Sequence, residues 1–329
     1  MRRLGFLALG LIALAGCSPA GSQSGKTTIR CATDWRAEAE HGGFYEALAT
    51  GEYAKRGLDV RIIPGGSTTN VPELVASGAV ELGDGSNSFI VMNLANVHAP
   101  VRAVAAFMQK DPQVLLAHPD AGINAIADMK GHPILLSDAS KTAFWPWMKA
   151  KYGFSDDQVR SYTFDNRPFI LDHHVVQEGY LTSEPYTIEK AGGFTPKVFL
   201  LADQGYPSYA AMVLAPDTLI SKNPAAVKAF VEASAIGWKN YLHGDPKPAD
   251  DLIMKDNPDM TEDVLAQARD KMRRHGIVDG DAGATVAPGA MTDARWAAFF
   301  RMASDEGVYP KSLNYRDAYT LQFLPPAAL

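Results

Sequence analysis

Strand-like runs alternate with helical patterns along most of this chain, and that alternation limits the folds open to it. Ile29 to Thr33 and Leu58 to Ile63 read as strands. Between them, Gly42 to Tyr53 puts Phe44 and Leu48 on one helical face before Gly57 stops it. Pro64-Gly65-Gly66 breaks the second strand. Asn70 with Glu73 three residues later is a capping-box pattern, and Pro72 is tolerated in a first turn. Gly78 ends that helix. Val80 to Leu82 reads as a short buried strand, and Val101 to Met108 and Val114 to Ala117 as further strands. This order predicts an α/β protein with largely parallel sheets.

A second unit starts near Pro119. Ile134 to Leu136 reads as a strand, Ala143 to Tyr152 as a helix, and Ser155 with Gln158 as another helix start. Val175 to Leu181 and Val198 to Leu201 are strands, and Tyr209 to Leu214 leads back. Asn223-Pro224 opens a long helix to about Leu242. Amphipathic helices follow near Glu262–His275 and Asp293–Glu306, stopped by Gly276 and Gly307. A chain of this length exceeds one typical domain. The order predicts a first lobe (27–117 plus 210–329) interrupted by an inserted second lobe (118–209). The crossings are expected near Ala117–Asp120 and Tyr206–Leu214.

Ahead of the body, Arg2 and Arg3 precede an apolar run from Leu4 to Ala15. That run is shorter than the ~20 residues a membrane-spanning helix needs. It ends in Leu14-Ala15-Gly16-Cys17, which resembles the lipobox of bacterial lipoproteins. The resemblance implies a signal peptide over 1–16, cleavage before Cys17 and a lipid on its thiol. Residues 17–26 then read as a flexible tether. Loss of Arg2 and Arg3 takes the formal charge from −6 to −8, which favours solubility and weighs against a nucleic-acid partner. Cys31 is left without a partner in the chain and reads as a buried strand residue.

Ligands of open α/β sheets sit at the carboxyl ends of the strands. Asp34-Trp35 ends the first strand there, and His41-Gly42 begins the next helix. The turns Gly65 to Asn70, Gly83 to Ser88 (with Ser86 and Asn87) and Ser137 to Thr142 should converge on the same edge. Each offers free backbone N–H groups at a helix start. Trp35 is a stacking candidate, and Tyr45 is divided between pocket and helix packing. Of Trp145 and Trp147, Trp145 is the one expected to face the cleft. His41 is expected to bond the ligand or its neighbouring loop. Ser140, Lys141 and Thr142 can hold polar ligand groups or simply cap.

Asp172-His173-His174 suggests metal at first sight. Neighbours on an extended strand point to opposite faces and chelate one ion poorly, so no metal is expected. Gly83-Asp84-Gly85-Ser86 lacks the spacing of a phosphate-binding loop or dinucleotide fingerprint, and no nucleophile elbow is present. No catalytic residue or cofactor is expected.

The chain resembles bacterial ABC-transporter solute-binding proteins. Within them it is similar to the branch holding thiamin-pyrimidine-precursor binders, their fungal pyrimidine-synthase relatives, and the sulfonate and nitrate binders. The residues that carry this are Asp34-Trp35, His41-Gly42-Gly43-Phe44-Tyr45, Gly51-Glu52-Tyr53 with Gly57-Leu58-Asp59-Val60, and Leu74-Val75-Ala76-Ser77-Gly78 followed by Gly83. Asp128-Met129-Lys130-Gly131 and Glu178-Gly179-Tyr180 with Glu184-Pro185-Tyr186 extend the match.

The resemblance implies a two-lobe periplasmic-binding-protein fold (type II), each lobe a mostly parallel sheet with flanking helices. It implies a monomer outside the cytoplasm, in the periplasm or at the cell surface. Its partners would be a small-molecule ligand, a permease with its ATPase, and a membrane reached through the lipid. It also brings Glu184 into the site, accepting hydrogen bonds from amino groups on a heterocycle. Trp35, Tyr45, Trp145, Tyr186 and Glu184 together suit a flat, amine-bearing ligand such as a pyrimidine precursor. Riboflavin also fits, and a small anion such as an alkyl sulfonate or nitrate would draw on Arg36 and Lys141. The remaining alternative is a pyrimidine-synthase-like enzyme. The region matching that relative's cysteine motif, Gly205 to Met212, contains no cysteine, so binding is preferred.

Overall fold

A computed structural model describes residues 25–66, 68–280 and 286–324. The Leu14–Cys17 box lies outside them. The strands are β1 (Thr27–Ala32), β2 (Leu58–Ile63), β3 (Leu82–Gly85), β4 (Val101–Met108), β5 (Gln113–Ala117), β6 (Ile134–Leu136), β7 (Val159–Ser161), β8 (Val176–Tyr180), β9 (Lys197–Leu200) and β10 (Ala210–Pro216). They form two five-stranded sheets, ordered β2-β1-β3-β10-β4 and β7-β6-β8-β5-β9. In each sheet one strand runs against the rest: β10 against β3 and β4, and β5 against β8 and β9. The protein is therefore α/β with two lobes, each a mostly parallel sheet.

The helices before the second lobe are α1 (Gly42–Ala49), α2 (Glu52–Lys55), α3 (Val71–Ala76) and α4 (Ser88–Asn96). Within it lie α5 (Asp138–Thr142), α6 (Phe144–Tyr152), α7 (Arg167–Leu171) and α8 (Glu184–Gly192). After the return come α9 (Asp217–Lys222), α10 (Pro224–His243), α11 (Lys247–Asp256), α12 (Glu262–Arg274) and α13 (Asp293–Asp305).

The first crossing differs from the expectation at Ala117–Asp120. β5 already belongs to the second sheet, so the chain changes lobe between Met108 and Gln113. Leu115 and Leu116 are buried between β8 and β9, which fixes β5 there. The return runs between Leu200 and Ala210. Three local expectations also shift. The helix from Gly42 breaks at Gly51, whose φ of 72° suits glycine. The helix read from Ala143 starts at Phe144, separated from α5 by the irregular backbone of Ala143. The Gly83–Ser86 run is mostly strand: a Cβ on Gly83 would sit 2.3 Å from Val71, so glycine lets α3 close onto β3.

The cap reading at Asn70 agrees with the structure, where its side chain accepts from the Glu73 backbone N–H at 3.2 Å. At the α1–α10 seam, a Cβ on Gly42 would lie 2.0 Å from the Tyr241 ring, and one on Gly43 2.1 Å from the Trp238 ring. Gly237 answers from α10, its missing Cβ admitting the Gly43 carbonyl. The seam buries Phe44, Phe107, Phe230 and Trp238 in edge and stacked contacts. Burial of each such ring stabilises the fold by about 1.5–3 kcal/mol. Gly42 thus has a packing role rather than the ligand contact expected of it.

Candidate functional site between the lobes

The carboxyl ends of β1 and β3 bring Asp34, Asp84 and Ser86 together, and the start of α1 adds His41. His41 Nε2 lies 3.2 Å from Asp34 Oδ1 and 3.6 Å from Asp84 Oδ2, with the imidazole 3% exposed. Ser86 donates to the other Asp34 oxygen. Burial alone would lower the imidazole pKa, but the Asp34 hydrogen bond and the charges of Asp34, Asp84 and Glu40 push it up to about 9. Burial pushes against the Asp34 charge too, yet His41 and Ser86 hold that carboxyl below its ordinary range. Asp84 moves the other way, raised by burial and then by Asp34. One imidazolium thus balances part of a carboxylate pair, Asp84 buried and Asp34 partly exposed. His41 Nδ1 and Asp84 Oδ1 are buried without a hydrogen-bond partner.

The second lobe contributes Glu178 on β8 and Glu184 at the start of α8. Glu184 Oε2 accepts from the Tyr180 backbone N–H at 2.7 Å, and Oε1 lies 3.5 Å from the Tyr162 hydroxyl. Glu178 Oε1 accepts from the Ser137 N–H at 2.8 Å. Burial, then the charges of Glu40 and Glu178, push Glu184 up to about 7. Glu178 is raised by burial against hydrogen bonds from Ser140 and Ser137. From the first lobe, Glu38 faces the same space, raised by burial and then by Glu40 and Glu184. Glu40 accepts from Thr182 across the lobes, and the Thr182 carbonyl accepts from Gln267 on α12. No cation faces these glutamates as closely as His41 faces Asp34, among the described residues.

Trp35 also reaches across. Its ring lies 4.4 Å from that of Phe164, tilted by 42°, and Phe164 in turn meets Tyr162 at 5.2 Å. Phe164 has φ of 60° and remains 47% exposed. A left-handed backbone costs a non-glycine residue about 1–2 kcal/mol. The aromatic contact to Trp35 accompanies that cost.

Of the residues expected at the site, Asp34, Trp35, His41 and Ser86 gather on the first lobe, Glu184 faces Glu38 and Glu40 from the second, and Ser140 stands behind Glu178. The others go elsewhere. Tyr45 is buried in the first lobe, its hydroxyl bonded to Asp256 at 2.9 Å. Trp145 is 2% exposed, donates to Asp156 at 2.8 Å and packs on Phe154 in the second lobe. Tyr186 points along the outer edge of α8 to Asp263 on α12, at 2.6 Å. Lys141 pairs with Asp138 while its charge still acts on Glu178, Thr142 bonds the Ala139 carbonyl, and Asn87 caps α4 at Phe89. The Asp172–His174 run is a turn rather than a strand, and His173 pairs with Asp120 at 2.8 Å.

Sequence reasoning missed Glu38, Glu40, Asp84, Glu178, Phe164 and Tyr180. Tyr180 titrates high through burial and the charges of Asp111, Asp34, Asp84 and Glu40, which places it among them. The Glu38-x-Glu40 spacing three residues after Trp35 was one available signal, since two carboxylates so close to a strand end are a local anomaly, and Glu178-Gly179-Tyr180 in the family match was another.

Comparison with known proteins bears on the family and the fold. A family model described as NMT1/THI5 like matches residues 38–249. The formylaminopyrimidine-binding protein of Halalkalibacterium halodurans is 24% identical over 273 residues, covering 80% of this chain and 78% of that protein. The riboflavin-binding protein RibY of Chloroflexus aurantiacus is 23% identical over 292 residues, covering 86% and 82%. The periplasmic aliphatic sulphonate binding protein SsuA from Escherichia coli superposes with a TM-score of 0.66 at 14% identity, over 91% of this chain and 94% of that one. That likeness is one of fold, the two-lobe arrangement of periplasmic binding proteins.

Proposed function

The chain belongs to the NMT1/THI5-like family, and from that premise we propose that it is the solute-capturing protein of an ABC importer. It works outside the cytoplasm, held to a membrane by a lipid on Cys17, and hands its ligand to a permease driven by an ATPase. Its ligand is a flat heterocycle carrying amino groups, taken up between the lobes and chemically unchanged on release.

One observation carries this reading: the glutamates Glu38, Glu40, Glu178 and Glu184 crowd one cleft beside Trp35 and Phe164, and none of them forms an ion pair with Lys, Arg or His among the described residues. Buried like charges raise one another's pKa and favour a ligand that donates hydrogen bonds or carries positive charge. Aromatic faces supply the complementary apolar surface. Trp35 and Phe164 hold the ring, and Glu184 accepts from its amino group.

An anionic ligand is less well served. Arg36 is paired with Asp259 at 2.7 Å and Lys141 with Asp138 at 2.8 Å, and His41 is engaged by two aspartates. Riboflavin is the second reading, favoured by the same aromatic pair and by the name of the Chloroflexus relative. Calorimetric titration with aminopyrimidines, riboflavin and alkyl sulfonates decides among them. Tight binding of an aminopyrimidine alone is the expected result. Tight binding of a sulfonate, with none of the aminopyrimidine, would overturn the reading.

A further inference from the structure

At the opposite end of the second lobe, His118, Asp120 and His173 come together from two turns. His118 and Asp120 follow β5, and His173 lies in the turn between α7 and β8. One ligand atom from each residue lies within 4.8 Å of the others. The two imidazoles stack with centroids 4.1 Å apart and planes at 15°.

Three features prepare this group for a cation. The first concerns the tautomer. His118 Nε2 lies 2.7 Å from the Phe169 carbonyl, which can only accept, so that nitrogen carries the hydrogen. In that tautomer the lone pair lies on Nδ1, 3.9 Å from Asp120 Oδ1. A carbonyl behind a ligating histidine is the usual outer-shell arrangement in metal sites. The second is support: His118 is 1% exposed and packs on Phe169 and Phe194, so its ring cannot swing away. The third is access. The Asp120 and His173 side chains are 62% and 55% exposed, so an ion can enter and both can close the remaining distance.

We infer that His118 Nδ1, His173 and Asp120 bind a divalent cation of the zinc class at a site separate from the solute cleft. Two imidazoles and one carboxylate suit zinc, nickel or copper, with water completing the shell of a three-ligand zinc site. The separation follows from β5. Gln113, opposite Tyr180, marks the cleft end, and His118 lies five residues on. That is ~17 Å along an extended strand.

The test is zinc titration of the full chain against a chromophoric chelator at neutral pH, with His173→Ala, Asp120→Asn and, as control, His98→Ala. His173 and Asp120 are exposed, so both variants should fold, and melting curves check this. The expected result is one tight equivalent of zinc, weakened roughly tenfold or more by His173→Ala and by Asp120→Asn and unchanged by His98→Ala. Absence of a stoichiometric equivalent, or undiminished binding by folded His173→Ala and Asp120→Asn, overturns the site.

Discussion

The two walls of the cleft handle buried charge in opposite ways. On the first lobe, His41 stands between Asp34 and Asp84, and its pKa of about 9 keeps it cationic at neutral pH. On the second lobe, with Glu38 facing them from the first, Glu178 and Glu184 accept from backbone and hydroxyl donors and form no ion pair among the described residues, and burial pushes Glu184 up to about 7. A balanced wall is finished by folding, while an unbalanced wall awaits something from outside. The difference therefore locates where a ligand's amino group should go, and it turns stability measurements into a test of function.

The largest effect should come from breaking the balanced wall. His41→Ala leaves buried Asp84 and partly exposed Asp34 without their cation, and removal of one partner from a buried ion pair costs about 3–5 kcal/mol. Urea unfolding at pH 7 measures it, and a loss below about 1 kcal/mol would remove the contrast. The pH dependence has a definite sign. His41 rises from 6.5 to about 9 on folding, so its contribution is complete below 6.5 and fades as pH climbs through 9.

The unbalanced wall should respond in the other direction. Glu184 rises from 4.5 to about 7, so the stability carried by its protonated form is complete below 4.5 and lost as pH climbs through 7. Glu184→Gln should flatten that decline and leave the ligand-free protein at least as stable as wild type at pH 8. The same substitution should weaken an amine-bearing ligand by about 1.5–3 kcal/mol, the range for a hydrogen bond to a charged group. Unfolding curves at pH 5 and 8 beside calorimetric titration separate the two effects. A variant that binds normally would leave Glu184 without its proposed role.

Trp35→Ala should do least, because the ring is half-buried and pairs with the partly exposed Phe164. Binding should weaken by about 1 kcal/mol, in line with an aromatic pair, with little change in the unfolding midpoint. A large stability loss with unchanged binding would assign Trp35 to the core instead.

Much of the scaffold was legible in the sequence because its signals are local. β2, β4 and β6 end where their aliphatic runs end, and α10 begins at Asn223-Pro224, where Asn223 caps Ala226. α11 was not foreseen: Lys247-Pro248 opens it and charged residues make up half of it, so only Ala249 and Ile253 of its apolar residues are fully buried, with Leu252 and Met254 partly so. The site divides along the same line. Asp34, Trp35, His41 and Ser86 follow strand ends, which sequence can find. Tyr45 and Trp145 follow the same logic and fail, because facing the cleft depends on helix rotation, and burial with Asp256 and Asp156 decided that. Phe164 and Tyr180 come from the inserted lobe, where only the tertiary fold brings them opposite Trp35 and Asp34.

The placement of β10 has a consequence for the order in which the chain is made. It sits between β3 and β4, which do not pair with each other. The second sheet owns all its strands once Leu200 has been synthesised, but the first is split until Pro216 follows. Through that interval β3 and β4 both present bare edges, and a bare edge is a template for pairing with another chain. The lobe that begins first in the sequence is thus the last to be sealed.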